Sequence, residues 1–361
     1  MTSPTWPDVL NTLLAGTDLS QSQAAWAIDE IMEGQATGSQ IAGFAVALRA
    51  KGETPEEAAT FVQQLLTHAV HVTVPGITVD TCGTGGDGAG TLNISTGAAL
   101  VATAAGARVV KHGNRAASSK AGSADVLEAL GIALNVPTSA IPQCVEEAGI
   151  CFFFAPLYHP SLRHTAVARR EIGVQTVFNV LGPLANPARP QAQVVGVPNI
   201  RVGNLIAGVL RSRGTRALVV HSEDGLDELS PTSVATVWDV TGSRGPDIIV
   251  ETVDPLDLGI ARATLVDLAG ADAEFNAARL RAALTPGADE SLQGVRDAIV
   301  LNAAAALVTY DTALGEGASN ADVTSRLASA LPRARRALDS GAALQVLDRW
   351  VEVSNRLATT E

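Results

Sequence analysis

The sequence predicts an α/β protein: a mostly parallel central sheet flanked by helices, with a smaller all-helical domain. Three observations carry this. Short β-branched runs alternate with helix-length stretches from residue 77 onward, the rhythm of a parallel sheet covered on both faces. Residues 1–73 show helical spacing only. Apolar residues make up 47% of the 361, mostly Ala, Val and Leu with 4% aromatics, which suits small-residue helices packed close to a sheet.

Taken in order, Ile41, Phe44 and Leu48 share one helical face after Ser39. Thr54-Pro55-Glu56-Glu57 is a capping box with proline at the first helical position, opening a helix that carries Phe61, Leu65 and Ala69. A strand is expected at 77–81, then a glycine-rich loop and a helix over 95–105. A second strand follows at 108–110, then a polar loop and a helix capped by Ser123 and stopped at Gly131. Further strands are expected at 150–154, 194–197 and 217–221, and a β-hairpin from 234–240 and 248–253. Residues 160–182 read as helical with no strand between, and the tail from Ser291 onward is helical again. The expected organisation is a helical domain over 1–73, joined by about 160–187 folding back, and an α/β domain over 74–159 and 188–361.

Charge excludes some partners. With 37 acidic and 25 basic residues the net charge is −12, and no stripe of Lys and Arg offers the counterion release that nucleic acid requires. The three cysteines, Cys82, Cys144 and Cys151, have no disulfide or zinc spacing, which suits a reducing cytoplasm. The start, MTSPTWPDVLNTLL, lacks the pattern of a signal peptide, and no apolar run is long enough to span a bilayer. A soluble, cytoplasmic protein is expected.

The chemistry concentrates in two loops. Residues 83–90, GTGGDGAG, hold five glycines in eight positions after a strand, and lead into a helix whose first turn is Asn93-Ile94-Ser95-Thr96-Gly97. Glycine lets a ligand approach the main chain closely, and a helix N-terminus with free N–H groups and hydroxyls attracts an anion. A tight strand–helix turn without a ligand is the plain alternative; the glycines, the Asp and the three hydroxyl residues favour phosphate. The spacing matches neither a P-loop nor a dinucleotide fingerprint. The second loop, KHGNRAASSK over 111–120, is also anion-receptive, and a parallel sheet brings it beside the first.

GTGGD, NISTG, KHGNRAASS and GSADVLEALG, followed by FFAPLYHPSLRHTAVARREIG, TVFNVLGPLANPARP and DGLDEL, together resemble the anthranilate phosphoribosyltransferase family. The likeness covers most of 81–229 in the family's order; the terminal helices agree in character only. It implies a fold of the nucleoside phosphorylase/phosphoribosyltransferase type. It also implies transfer of the phosphoribosyl group of 5-phosphoribosyl 1-diphosphate to the amine of anthranilate, in tryptophan biosynthesis. By that resemblance the diphosphate substrate meets Gly83, Gly86, Asp87, Thr91, Asn93, Ile94, Ser95 and Thr96. Lys111, His112, Gly113, Asn114, Arg115, Ala116, Ala117, Ser118 and Ser119 would close over it, with Ser123 nearby. Anthranilate would meet Gly83, Asn114 and Arg169. Ser95, Asp227 and Glu228 would ligate Mg²⁺, two ions per subunit, and a homodimer is implied.

The residues alone support part of this. A diphosphate leaving group calls for Mg²⁺, and adjacent acids in HSEDGLDE over 221–228 offer oxygens, although a solvated acidic loop reads equally well. If 160–173 is one helix, Leu162, Ala166, Arg169 and Gly173 share a face. An arginine there suits a substrate carboxylate, or an internal salt bridge. Leu162 departs from the aromatic residue of some relatives. No general base is assigned: His112, His159 and His164 read as structural, Cys82 as packing, and an aromatic amine needs no strong base before attack. The rival readings are a pyrimidine nucleoside phosphorylase and a non-catalytic nucleic-acid-binding relative. KHGNR, DGLDE and Arg169 speak against the first, the net charge against the second.

Overall fold

In the computed structural model, which describes residues 3–116, 120–316 and 320–359, four helices precede any strand: α1 (Trp6–Leu14), α2 (Gln21–Met32), α3 (Gly38–Lys51) and α4 (Pro55–Thr67). Each opens with a reciprocal capping box, at Thr5/Asp8, Ser20/Gln23, Thr37/Gln40 and Thr54/Glu57, so two N–H groups are satisfied at each start. Glu57 does more than cap. Buried, it also accepts from Leu19 N at 2.8 Å and from Lys51 Nζ at 2.8 Å, tying three helices together.

Then strands and helices alternate: β1 (Val79–Gly83), α5 (Ile94–Ala104), β2 (Val109–Gly113), α6 (Ser123–Ala129), α7 (Ile141–Ala148), β3 (Ile150–Phe154), α8 (Ala155–Tyr158), α9 (Ala166–Ile172), α10 (Val177–Val180), β4 (Ala192–Gly196), α11 (Ile200–Ser212) and β5 (Arg216–Ser222). The hairpin β6 (Ala235–Asp239) and β7 (Ile249–Val253) precedes four helices: α12 (Ala273–Leu284), α13 (Gln293–Ala313), α14 (Val323–Asp339) and α15 (Ala342–Ala358). The seven strands form one sheet in the order β3-β2-β1-β4-β5-β6-β7, parallel from β3 to β5 and antiparallel beyond. No helix is long and apolar enough to cross a membrane among the described residues.

Alternation along the strands divides the interior. Val194, Leu218 and Val220 point into a core shared with α5, α13 and the C-terminal helices, whereas Val195, Ala217 and Val219 point into one shared with α1–α4 and α11. Ala168, Val177, Phe178, Val180, Leu184 and Ala185 enter this second core beside residues of α1–α4.

Several expectations shift. β1 begins and ends two residues later than expected, because Cys82 and Gly83 pair with Val195 and Gly196 of β4. Helix α6 is capped at Gly122, where Asp125 Oδ2 accepts from Gly122 N at 2.9 Å; Ser123 is its first helical residue. Residues 160–182 are not one helix: 160–165 wind as a 3₁₀ turn, and Gly173, at φ +68°, ends α9 in the left-handed region. The tighter 3₁₀ winding moves the phase, so Ala168 is the buried residue of α9 and Ala166 is exposed.

Candidate active site

The sheet's strand order reverses between β1 and β4, and the polar loops gather at the carboxyl ends of these strands, where open α/β sheets take ligands. Gly83 and Gly196 lie side by side in the register. A β-carbon at Gly83 would stand 2.2 Å from Asp227 Oδ2, and one at Gly196 would stand 1.5 Å from the Asp227 carbonyl oxygen. The two missing side chains thus open the slot that Asp227 fills. Its carboxylate accepts from Gly85 N at 2.7 Å, locking the acidic turn onto the glycine loop. The turn is braced from behind: Ser222 Oγ donates to Glu228 O at 2.7 Å, and Asn302 of α13 bonds both the N–H (3.1 Å) and the C=O (2.8 Å) of Leu229.

Lys111 rises from β2 into the same space, 1% exposed, donating to Thr81 O at 2.6 Å and to Ser95 Oγ at 3.1 Å. Burial lowers its pKa, while Asp80, Cys82 and Glu228 pull it back up. Burial pushes Asp80 up to about 6, against the opposing pull of Lys111 and hydrogen bonds from Asn186 and His112 N–H. Asp227 is likewise raised to about 6, by burial and by the neighbouring Asp87. Glu228 is pushed well above the usual range by burial and by Asp227, although it accepts from the Ser95 N–H at the start of α5. Three oxygen-bearing residues (Asp87, Asp227, Glu228) crowd at a positive helix end, and two of them are disfavoured as anions. Asp227 and Glu228 are the residues here that could hold a divalent cation, whose charge would offset theirs. Among the described residues no group of three or more His, Cys, Asp or Glu side chains is arranged to hold a metal ion, so an ion here would depend on substrate and water oxygens for most of its shell.

Asp80 sets the sign of a measurable pH effect. Its carboxyl binds a proton more tightly in the folded chain than unfolded, so its contribution to stability is full below about 3.8 and is lost as pH rises through about 6. Thermal unfolding of the ligand-free protein is expected to show a Tm that falls between about pH 4 and 6.5. Asp80→Asn, which does not titrate there, makes the slope shallower; an unchanged slope contradicts the assignment.

The second loop meets the first through Asn93. Its Nδ2 donates to Ala121 O at 3.3 Å and its Oδ1 accepts from Asn276 Nδ2 of α12 at 3.1 Å. Thr91 bridges to Ala269, and Thr96 buries a hydroxyl that has no partner among the described residues. At the end of β2, Gly113 leaves room for Ser123: a β-carbon there would lie 2.3 Å from Ser123 Oγ. Asn114 Oδ1 accepts from Arg115 N at 2.7 Å. The Arg115 guanidinium pairs with Asp125 and Glu128 and lies over Phe154, so it faces α6. Ala116 N donates to Asp125 at 3.0 Å, while Ala117, Ser118 and Ser119 lie outside the described residues.

The histidines bond backbone. His112 Nδ1 bonds Gly182 O at 3.2 Å and His159 Nε2 bonds Ala185 O at 2.7 Å, with the two rings edge to face at 5.3 Å. Burial and His159 push His112 down to about 3, which makes it a weak base. Burial raises the Cys82 thiol well above its ordinary value, the opposite of what a nucleophile needs. On α9, Arg169 is half-buried with no ion pair among the described residues, and burial alone lowers its pKa. Three residues past α9, at Gln175, the chain reaches the glycine loop: a β-carbon on Gly86 would be 2.6 Å from Gln175 Nε2.

Sequence reasoning missed Asp80, Gly196, Asn276 and Asn302. Gly196 ends a strand and carries a local signal; the asparagines sit in helices and act across more than seventy residues.

A profile of the glycosyl transferase family a/b domain matches residues 75–344, and one of the family's helical bundle domain matches residues 7–69. The anthranilate phosphoribosyltransferase of Arthrobacter sp. (strain FB24) is 52% identical over 350 residues, 97% of this chain and 96% of that one. Among solved structures, the anthranilate phosphoribosyltransferase of Thermus thermophilus has a TM-score of 0.86 at 38% identity, over 96% of this chain and 99% of that one. The Saccharomyces cerevisiae enzyme in complex with PRPP and Mg has a TM-score of 0.84 at 26% identity, over 98% and 99%.

Proposed function

Because the chain belongs to the anthranilate phosphoribosyltransferase family, and so transfers the phosphoribosyl group of 5-phosphoribosyl 1-diphosphate to the amine of anthranilate, we propose how its residues divide that reaction. The alternatives of a nucleoside phosphorylase and a nucleic-acid-binding relative are not favoured. One observation supports the assignment most: the glycine loop, the N-terminus of α5, Lys111 and the Asp227-Glu228 couple converge at the carboxyl ends of the central strands.

The diphosphate lies along Asn93–Thr96, at the positive dipole end of α5 and beside the Lys111 ammonium, while residues 111–119 and Ser123 enclose the ribosyl phosphate. Mg²⁺, carried by the yeast relative, would be held by Asp227, Glu228 and Ser95, as two ions per subunit, and supplies charge neutralisation of the leaving group. Arg169, which has no ion pair among the described residues, offers its guanidinium to the anthranilate carboxylate, with Asn114 and the Gly83 backbone orienting the ring. The amine lone pair then forms the bond to the anomeric carbon as the bond to diphosphate breaks, and the amine loses its proton to solvent. No side chain is assigned as base; positioning and leaving-group stabilisation carry the rate. Closure of the helical domain, 1–73 with about 160–187, onto 74–159 and 188–361 would exclude water.

Anthranilate fluorescence tests this. Signal is expected to fall on adding 5-phosphoribosyl 1-diphosphate with Mg²⁺ and to persist without the metal; consumption of thymidine and phosphate instead would overturn it. Asn276→Ala should raise KM for the diphosphate substrate about tenfold, because Asn93 loses its α12 anchor, and leave KM for anthranilate within twofold. Leu14, Val46, Val167 and Val174 are exposed on the helical part, and a second copy covering them would make the homodimer; sedimentation at the chain's own mass contradicts it. A cytoplasmic location is part of the same proposal, supported by the biosynthetic role of the family.

A further inference from the structure

The opposite end of the sheet carries a cleft that the reaction does not use. It lies at the amino ends of β4 and β5, where Arg189, Pro190 and Gln191 lead into β4 and the α11–β5 turn supplies Arg213 and Thr215. Leu66 of α4 closes it from the helical side, so the cleft straddles the seam between the N-terminal helices and the sheet. Its volume is about 410 Å³. At about 3.3 Å per residue, a five-residue strand separates it from the catalytic loops by roughly 16 Å.

Two guanidinium groups line this cleft and no carboxylate does. Arg213 is half-buried and donates one N–H to Leu184 O at 2.6 Å, which leaves most of its donor fork without a protein acceptor. Arg189 has no ion pair among the described residues and is held at φ +48°, a left-handed conformation rare for a side-chain-bearing residue. Its N–H is fixed to Asn186 O at 3.0 Å, while Asn186 Nδ2 grips Asp80 Oδ2 at 2.9 Å. The strained turn that aims Arg189 is therefore anchored to the sheet. Burial and the charge of Arg189 press the Arg213 pKa down to about 10, so the two cations sense each other. Two like charges held together on a chain of net charge −12, with eleven of its other arginines paired to acids, form an arrangement that an anion relieves.

We propose that this cleft is a second anion site, in which Arg189 and Arg213 clamp the phosphate or carboxylate group of a small molecule at the seam between the helical and sheet parts. A concave volume of this size takes a metabolite's body as well as its anionic head.

Crystals of the full chain soaked in sodium tungstate, an anomalous scatterer, test it. Wild type is expected to show a peak within hydrogen-bonding distance of both guanidinium groups, besides any at the catalytic loops. Arg189→Gln and Arg213→Gln should each weaken the cleft peak, with at least about tenfold more tungstate needed for equal occupancy, the loss of one charge-assisted group. Arg213→Lys, which keeps the charge and can still reach Leu184 O, should retain part of it, and turnover should stay within twofold of wild type in all three. Displacement by inorganic phosphate marks a phosphoryl site and displacement by citrate a carboxylate site; either supports the proposal. Peaks at the catalytic loops alone overturn it. So does a cleft peak that survives both glutamine substitutions, or yields to neither competitor, which marks an adventitious ion only.

Discussion

Asp227→Ala combined with Glu228→Ala is expected to lower kcat/KM by about 10³-fold or more while the protein folds and unfolds cooperatively. The two effects separate because of where the acids sit. Both carboxyls are held above their ordinary pKa, by burial first and then by a neighbouring acid, Asp87 for Asp227 and Asp227 for Glu228. In the ligand-free protein they repel each other, and removing them relieves that repulsion. What is lost is small: the bond from Gly85 N to Asp227 and the one from Ser95 N to Glu228, each worth about 1 kcal/mol net. The Ser222 and Asn302 bonds go to backbone atoms and survive the substitution. Thermal unfolding should therefore place the variant within a few degrees of wild type, while loss of anthranilate fluorescence should be undetectable on the wild-type timescale. The isosteric pair Asp227→Asn and Glu228→Gln sharpens the point. It keeps hydrogen-bonding oxygens but not charge, so it should also be inactive if charge is what the site requires. Full activity of the alanine pair would remove these residues from the metal assignment.

The parts of this site that could be read in the sequence are those whose chemistry is local. A glycine loop between strand and helix, a basic loop one strand away and an acidic turn each announce themselves within ten residues, and the parallel sheet brings them together. The sequence names Lys111 as a residue of the basic loop and Ser95 as one of a helix's first turn; that they touch, at 3.1 Å, follows from β2 lying next to β1. The 150–154 strand was legible over its full length because ICFFF is an unbroken apolar run, whereas the end of β1 was not, since Cys82-Gly83 becomes strand only by pairing with β4. The same limit applies to Asp80. Nothing near VDTCG says that its acid will be buried against Lys111 and Asn186, which lie 31 and 106 positions away. Helix α12 went unread because its apolar residues alternate with charges without a clear stripe, and yet Asn276 on it holds Asn93 in place. Arg169 was placed on the right element by the wrong face. The 3₁₀ turn before α9 broke the periodicity from which its neighbours were inferred.

Gly196→Ala is the substitution whose effect least resembles its size. One methyl group on the last residue of β4 would lie 1.5 Å from the carbonyl oxygen of Asp227 and 2.4 Å from its carbonyl carbon, and neither is the movable tip of a side chain. One of two backbones has to give way. β4 is central, paired with β1 on one side and β5 on the other, so the acidic turn is the part that moves. Restoring an ordinary contact needs a displacement of about 2 Å, and a misplacement of 1 Å in a catalytic group can cost about 10²-fold. The expected result is a fall in kcat/KM of at least about 10²-fold, with a Tm lowered by several degrees as Asn302 loses its geometry on Leu229. Gly83→Ala makes the contrast. Its β-carbon would meet the Asp227 carboxylate at 2.2 Å, a side chain that can rotate at the expense of the Gly85 bond, so activity should fall less steeply and stability hardly at all. If Gly196→Ala proves as active as wild type, the acidic turn is free to sit elsewhere during turnover, and the slot between the two glycines is not what positions Asp227.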